Sequence, residues 1–81
     1  MKSLVAETLS AWREAERVLL ELPADSTRRL EVTEIAGDLR VLHHRLIELP
    51  DPSDEALLRG RAQLHDALGR LDRARQEATG Q

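Results

Sequence analysis

The sequence predicts an all-α protein of three antiparallel helices, an up-down-up bundle joined by short loops that contain proline. The clearest evidence lies between Val32 and Leu49, where apolar side chains recur in alternating steps of three and four residues. A composition rich in Leu, Ala, Glu and Arg, with no Tyr or Phe, also favours helix over strand. Pro23 and Pro50 divide the chain into three segments. We therefore expect residues 1–81 to form a single helical domain.

The first predicted helix covers about residues 3–22. Ser3 is placed to cap it, because its hydroxyl can accept from a free N–H of the first turn. Two adjacent apolar rows give the helix a broad buried face: Val5, Leu9, Trp12 and Leu19, and Leu4, Ala11, Ala15, Val18 and Leu22, with Thr8 in the second row. Leu20 lies outside both rows. Pro23 ends the helix, since the residue before a proline is disfavoured in the α conformation.

The second predicted helix covers about residues 27–49, and Asp25 or Ser26 is placed to cap it. Its apolar stripe contains Val32, Ile35, Leu39, Leu42, Leu46 and Leu49. Val41 falls on the polar side, and Gly37 also lies away from the stripe. The short loop after the first helix makes the two helices antiparallel neighbours, and this register places Trp12 opposite Ala36.

The third predicted helix covers about residues 53–78, with Asp51 or Ser53 as its cap. We assign eight residues to its apolar face: Leu57, Leu58, Ala62, Leu64, Leu68, Leu71, Ala74 and Ala78. Gly60 and Gly69 lower its helix propensity. Residues 79–81 are predicted to form a loose tail.

Composition limits the kinds of function to consider. The chain has 15 acidic and 12 basic residues, a net charge of −3, and no cysteine, which excludes disulfides and thiolate chemistry. It shows no basic-then-apolar secretion signature and no apolar run of about 20 residues that could span a membrane. We therefore expect a cytoplasmic protein. All basic residues except Lys2 are arginine, a bias typical of high-GC bacterial genomes.

No catalytic, cofactor-binding or metal-binding constellation is predicted. His43 and His44 are adjacent and therefore point about 100° apart on a helix, while His65 lies on a different helix from both. The glycines are scattered rather than grouped in a phosphate-binding loop. One enzymatic alternative remains, in which Glu16, Arg61 and Arg75 line a polar pocket inside the bundle. In the competing interpretation, these side chains lay their methylenes on the core and carry their charges to water.

A second alternative is a small nucleic-acid-associated regulator that uses the third helix. Five arginines lie on this helix: Arg59, Arg61, Arg70, Arg73 and Arg75. Asp66, Asp72 and Glu77 are mixed among them, so the segment does not have the uniform basic character of a nucleic-acid surface. We therefore expect no nucleic acid among the partners.

The favoured prediction is a small non-catalytic module for protein interaction or oligomerisation, working as a homodimer or with a protein partner. The candidate interface residues are the apolar side chains that fit the core least well: Leu20, Val41, Ile47 and Leu58, together with Trp12. Trp12 has two interpretations, as an ordinary core residue or as a partly exposed anchor of an interface.

Overall fold

The computed structural model describes residues 3–48 and 53–79, which form the three predicted helices. They are α1, Leu4–Glu21, α2, Thr27–Glu48, and α3, Asp54–Thr79. The described residues contain no strand, and all three pairs of helices are in contact. The predicted three-helix bundle is confirmed, with helix ends within one residue of those predicted. Leu49, Pro50, Asp51, Pro52 and tail residues 80 and 81, along with the side chain of Ala78, lie outside the described part.

Serine residues cap the three helices. In each case the Oγ atom accepts a hydrogen bond of 3.1 Å from a backbone N–H of the first turn, and the serines are Ser3, Ser26 and Ser53. Each bond satisfies one of the donors that a helix N-terminus otherwise leaves without a partner. At the other end of α1, Leu22 is extended, with φ −86° and ψ 144°, as expected before Pro23.

Contacts near the two ends of α1 show the relative direction of the three helices. At one end, a Cβ atom built on Gly60 of α3 would lie 3.1 Å from Leu4 of α1 and 3.4 Å from Leu46 of α2. At the other end of α1, the Arg29 guanidinium of α2 donates to the Leu19 carbonyl at 2.9 Å. The start of α1 therefore lies beside the end of α2 and the first turns of α3, so α1 and α3 run parallel and α2 antiparallel.

The core follows the predicted faces of α1 and α2. The buried residues of these helices are Leu4, Thr8, Ala11, Ala15, Val18, Val32, Ile35, Ala36, Leu39, Leu42 and Leu46. Val5, Trp12, Leu19 and Leu22 pack against this core and are partly buried. The Thr8 hydroxyl is fully buried but donates to the Leu4 carbonyl at 2.8 Å, so its burial leaves no unsatisfied donor.

The core-facing row of α3 differs from the predicted one. Gly60, Leu64, Ala67, Leu71 and Ala74 are buried at helical spacing. Four residues of the predicted face are instead exposed, namely Leu57, Leu58, Ala62 and Leu68, so the prediction was wrong for them. Leu58 is also one of the candidate interface residues, and its exposure agrees with that second assignment. The predicted face followed the leucines, whereas the actual contact row alternates large and small side chains. A row with Gly and Ala lets α3 lie close to the large side chains of α1 and α2.

Candidate interaction surface

Four of the five predicted interface residues are exposed, but they do not form one patch. Leu20 is 85% exposed, and Leu58, Ile47 and Val41 are also exposed. Leu58 lies near Gly60, beside the start of α1, while Leu20 lies sixteen residues beyond Leu4 along α1. At 1.5 Å per residue these two positions are about 24 Å apart along the bundle. Val41 lies on a third helix, so these exposed residues do not all belong to one surface.

Trp12, the fifth predicted residue, is half-buried at the junction of α1 and α2. Its ring centroid lies 5.8 Å from that of His43, with the planes tilted by 50°. His43 is about two turns further along α2 than Ala36, the residue that the loop register placed opposite. Side chains of a helix lean toward its N-terminus, and the N-terminus of α1 lies beside the last turns of α2. Trp12 is therefore partly a core residue and partly accessible.

Val41 borders an open groove of about 510 Å³ between α2 and α3, which we call the α2–α3 groove. At its edge, Arg70 donates to Asp38 Oδ2 at 2.7 Å, which links the two helices. This hydrogen bond is the main reason that the pKa of Arg70 lies above its usual value. The Arg70 Nε atom is 3.2 Å from Asp66 Oδ2, but the N–H is not aligned with that oxygen and stays unsatisfied. The groove thus carries both signs of charge.

A second junction, the α1–α3 seam, is held by two ion pairs between α1 and α3. Arg61 lies 3.5 Å from Glu7, and Arg75 lies 3.2 Å from Glu14. Both arginine side chains are about half exposed, and Glu16 is exposed as well. The structure therefore does not bring Glu16, Arg61 and Arg75 into an enclosed pocket. It places these charges at the surface, as the competing interpretation predicted.

Glu14 is the electrostatic centre of this seam. Its carboxylate accepts hydrogen bonds from the Arg17 guanidinium at 2.7 Å, and the Arg75 guanidinium approaches from α3. The hydrogen bonds to Arg17 are the largest cause of the lowered pKa of Glu14, and attraction by Arg75 adds to it. The seam therefore couples a carboxylate of α1 to a cation of α3.

Another surface feature is a row of exposed residues along α3, on the side that borders the α1–α3 seam. From Leu58 onward its members recur every three or four residues, Leu57 lies one turn before Arg61, and all seven are exposed: Leu57, Leu58, Arg61, His65, Leu68, Asp72 and Arg75. We call it the outer α3 row. Leu57 is 36% and Leu68 41% exposed, and Leu58 is 68% exposed. An exposed row with this spacing is an unpaired helical stripe next to the buried one.

Three exposed apolar residues were not predicted as exposed. Leu57 and Leu68 were assigned to the core, and Leu30, which is 73% exposed, was not singled out. For Leu30 a signal was present, because Leu30 and Val41 lie on the same side of α2, eleven residues apart. For Leu57 and Leu68 the signal was weaker. Arg61 and Arg75 fall in the same row, and charged residues at row spacing indicate an outward face.

The basic residues of α3 are largely matched by carboxylates. Arg59 pairs with Glu55 in its own helix, Arg61 and Arg75 pair with α1, and Arg70 pairs with α2. Such pairing removes the excess positive potential that phosphate backbones require, which weighs against the nucleic-acid alternative. Among the described residues, no three His, Asp or Glu side chains lie close enough to hold a metal ion.

Comparison with protein-family models, curated proteins and solved structures found no significant match to this chain. In the part of the chain that the structure describes, none of the helices has the length and apolar content needed to cross a membrane.

Proposed function

We propose that this chain is a non-catalytic helical module that acts by protein–protein contact, through apolar side chains that its own core leaves uncovered. The observation that carries the proposal is the orientation of α3, which turns most of its leucines away from the core. Three of its five leucines, Leu57, Leu58 and Leu68, are exposed, while the other two lie in the core. Scattered single hydrophobic residues are normal on a protein surface. Three on one helix, with Leu57 and Leu68 on the same side of it, are typical of a surface that a partner covers.

The composition of the outer α3 row also supports this role. Interfaces combine apolar side chains with arginine, which contributes both packing along its methylenes and charge at its tip. The row has this character, because Arg61 and Arg75 alternate with the leucines. Trp12, which is half-buried against His43 of α2, and Ile47, which is exposed on α2, are further apolar side chains that the core does not fully cover.

The proposal is tested by measuring what the chain contacts. Affinity capture from its native cells is compared between the wild-type chain and the variant Leu57→Gln/Leu68→Gln. Light scattering on both purified proteins then reports self-association. We expect either a protein captured by the wild-type chain and lost with the variant, or an oligomer that the variant disrupts. The proposal is contradicted if the wild-type chain is a strict monomer and both proteins capture the same set.

Leu20→Gln is the matched control, because Leu20 is more exposed than either leucine but lies outside the outer α3 row. It should behave as the wild-type chain does in both measurements. The cytoplasmic location and the bacterial origin stay predictions from the sequence. Fractionation of the native cells would check the location.

A further inference from the structure

We propose that the outer α3 row binds the same row of a second copy of this chain, with the two α3 helices antiparallel. This inference rests on the proposed function and names the partner. The two-fold axis passes between Asp66 and Ala67, so each residue of one α3 faces the residue at the mirrored position of the other. Antiparallel two-fold contacts of this kind are isologous, since one surface serves both subunits.

Charge complementarity selects this arrangement. In this register Arg61 of one copy faces Asp72 of the other, and the symmetry repeats the pair, so the interface holds two identical ion pairs. Arg61 is 58% exposed in its side chain, and Asp72 is exposed. Arg61 already contacts Glu7 at 3.5 Å, but a guanidinium has five N–H donors and can serve a second carboxylate. Asp72 accepts a 3.3 Å hydrogen bond from Gln76 of its own helix, and a carboxylate has further acceptor sites for a second donor.

The apolar residues of the row fit the same register. Leu68 faces His65 of the second copy and lies within about one turn of the second Leu68, so both leucines approach the two-fold axis. Leu58 faces Arg75 of the second copy, whose methylenes can cover it. Residues 57 and 76 also face each other, and no position in the row meets a like charge.

The same register also gives the greatest overlap. The point between Asp66 and Ala67 is the midpoint of α3, Asp54–Thr79, so the two helices pair along their full length without overhang. A parallel pairing of the two α3 helices would bring like charges together instead of opposite ones. It would place Arg61 against Arg61, Asp72 against Asp72 and Arg75 against Arg75, and like charges in contact oppose association.

Two charge-reversed variants, Arg61→Glu and Asp72→Arg, test the proposal by light scattering and sedimentation. Each variant alone places like charges at both ion-pair positions, so we expect the dimer dissociation constant to rise by at least about tenfold. An equimolar mixture of the two variants restores opposite charges at both positions. The mixture should therefore form a heterodimer about as tight as the wild-type homodimer. Circular dichroism checks that each variant keeps the helical fold.

The expected result is a wild-type dimer, two weakened variants and a restored mixture. The proposal is overturned by a wild-type monomer at all concentrations, or by a wild-type dimer that neither variant weakens. It is also overturned if the equimolar mixture of the two variants dimerises no more tightly than either variant alone. A monomer that still captures a protein sensitive to Leu57→Gln/Leu68→Gln overturns the dimer alone and leaves the proposed function standing. Leu20→Glu, which adds a charge outside the row, should dimerise normally.

Discussion

Individual glycines illustrate how surroundings decide the effect of a residue. Gly37, Gly60 and Gly69 all lie inside helices, where sequence alone assigns each the same cost. A Cβ atom at Gly37 or Gly69 would meet nothing within 4 Å, whereas one at Gly60 would lie 3.1 Å from Leu4 Cδ2. Gly60 is thus a point at which side chains of both other helices approach α3 closely, and its lack of a side chain is part of the packing.

The three glycines therefore give a matched set of alanine variants. We expect Gly37→Ala and Gly69→Ala each to raise the free energy of unfolding by about 1 kcal/mol, because alanine has the higher helix propensity. Gly60→Ala should gain less than either, since the new methyl group displaces the Leu4 side chain and strains a packed core. Urea denaturation followed by circular dichroism measures all three. An equal gain at the three positions would contradict the close packing at Gly60.

Among the helices, α1 and α2 could be predicted from the sequence and the face of α3 could not. The stripes of α1 and α2 consist of large apolar residues, so period and side-chain volume indicate the same buried face. In α3 the two signals diverge. Its leucines extend over a wide arc that includes Leu57, Leu58 and Leu68, while the buried row contains Gly60 and Ala67. Small residues have little weight in a hydrophobic pattern, and only the positions of Leu4 and Leu46 show that α3 must present them.

Two leucines on adjacent turns of α3 test its orientation. Leu71 is 2% exposed and Leu68 is 41% exposed, although both were assigned to one apolar face. We expect Leu71→Ala to lower the free energy of unfolding by about 2–5 kcal/mol, because it leaves a cavity in the core. Leu68→Ala should cost well under half as much at concentrations low enough to keep the chain monomeric. Chemical denaturation compares the two, and equal costs would show that α3 is rotated from the orientation described.

The contact between α1 and α3 should be visible in the titration of Glu14. Its pKa lies below the usual value for a glutamate, chiefly through the Arg17 hydrogen bonds, with a further contribution from Arg75. A carboxyl group whose pKa is lower in the folded than in the unfolded chain stabilises the fold at pH values above its unfolded-state pKa. This stabilisation is lost as the pH falls through its folded-state pKa. We expect Arg75→Gln to raise the pKa of Glu14, measured by NMR of its carboxyl carbon. Arg73→Gln is the control, and an equal shift in both would disprove a specific seam contact.

For the whole molecule, the sequence specified the architecture more fully than the surface. The three-helix bundle follows from three amphipathic segments and short loops, which leave few alternatives. The candidate surface depends instead on the rotation of one helix by a fraction of a turn. Leu58 could be recognised as misplaced and Arg61 and Arg75 as reaching solvent, but Leu57 and Leu68 were assigned to the core. Their exposure is what joins these residues into one row.

The shape of the molecule gives a prediction that separates the proposed dimer from other assemblies. The bundle measures 44 × 19 × 18 Å, with a radius of gyration of 13.5 Å. Antiparallel pairing along the whole of α3 sets two bundles side by side, which raises the radius of gyration to about 16 Å with little gain in length. An end-to-end dimer through the loop ends, where Leu20 lies, would instead reach about 25 Å. Small-angle X-ray scattering measures this value directly, and a dimer with the larger radius would exclude α3 as its interface. Asp72→Arg, measured at the same concentration, should return the radius toward that of the single bundle.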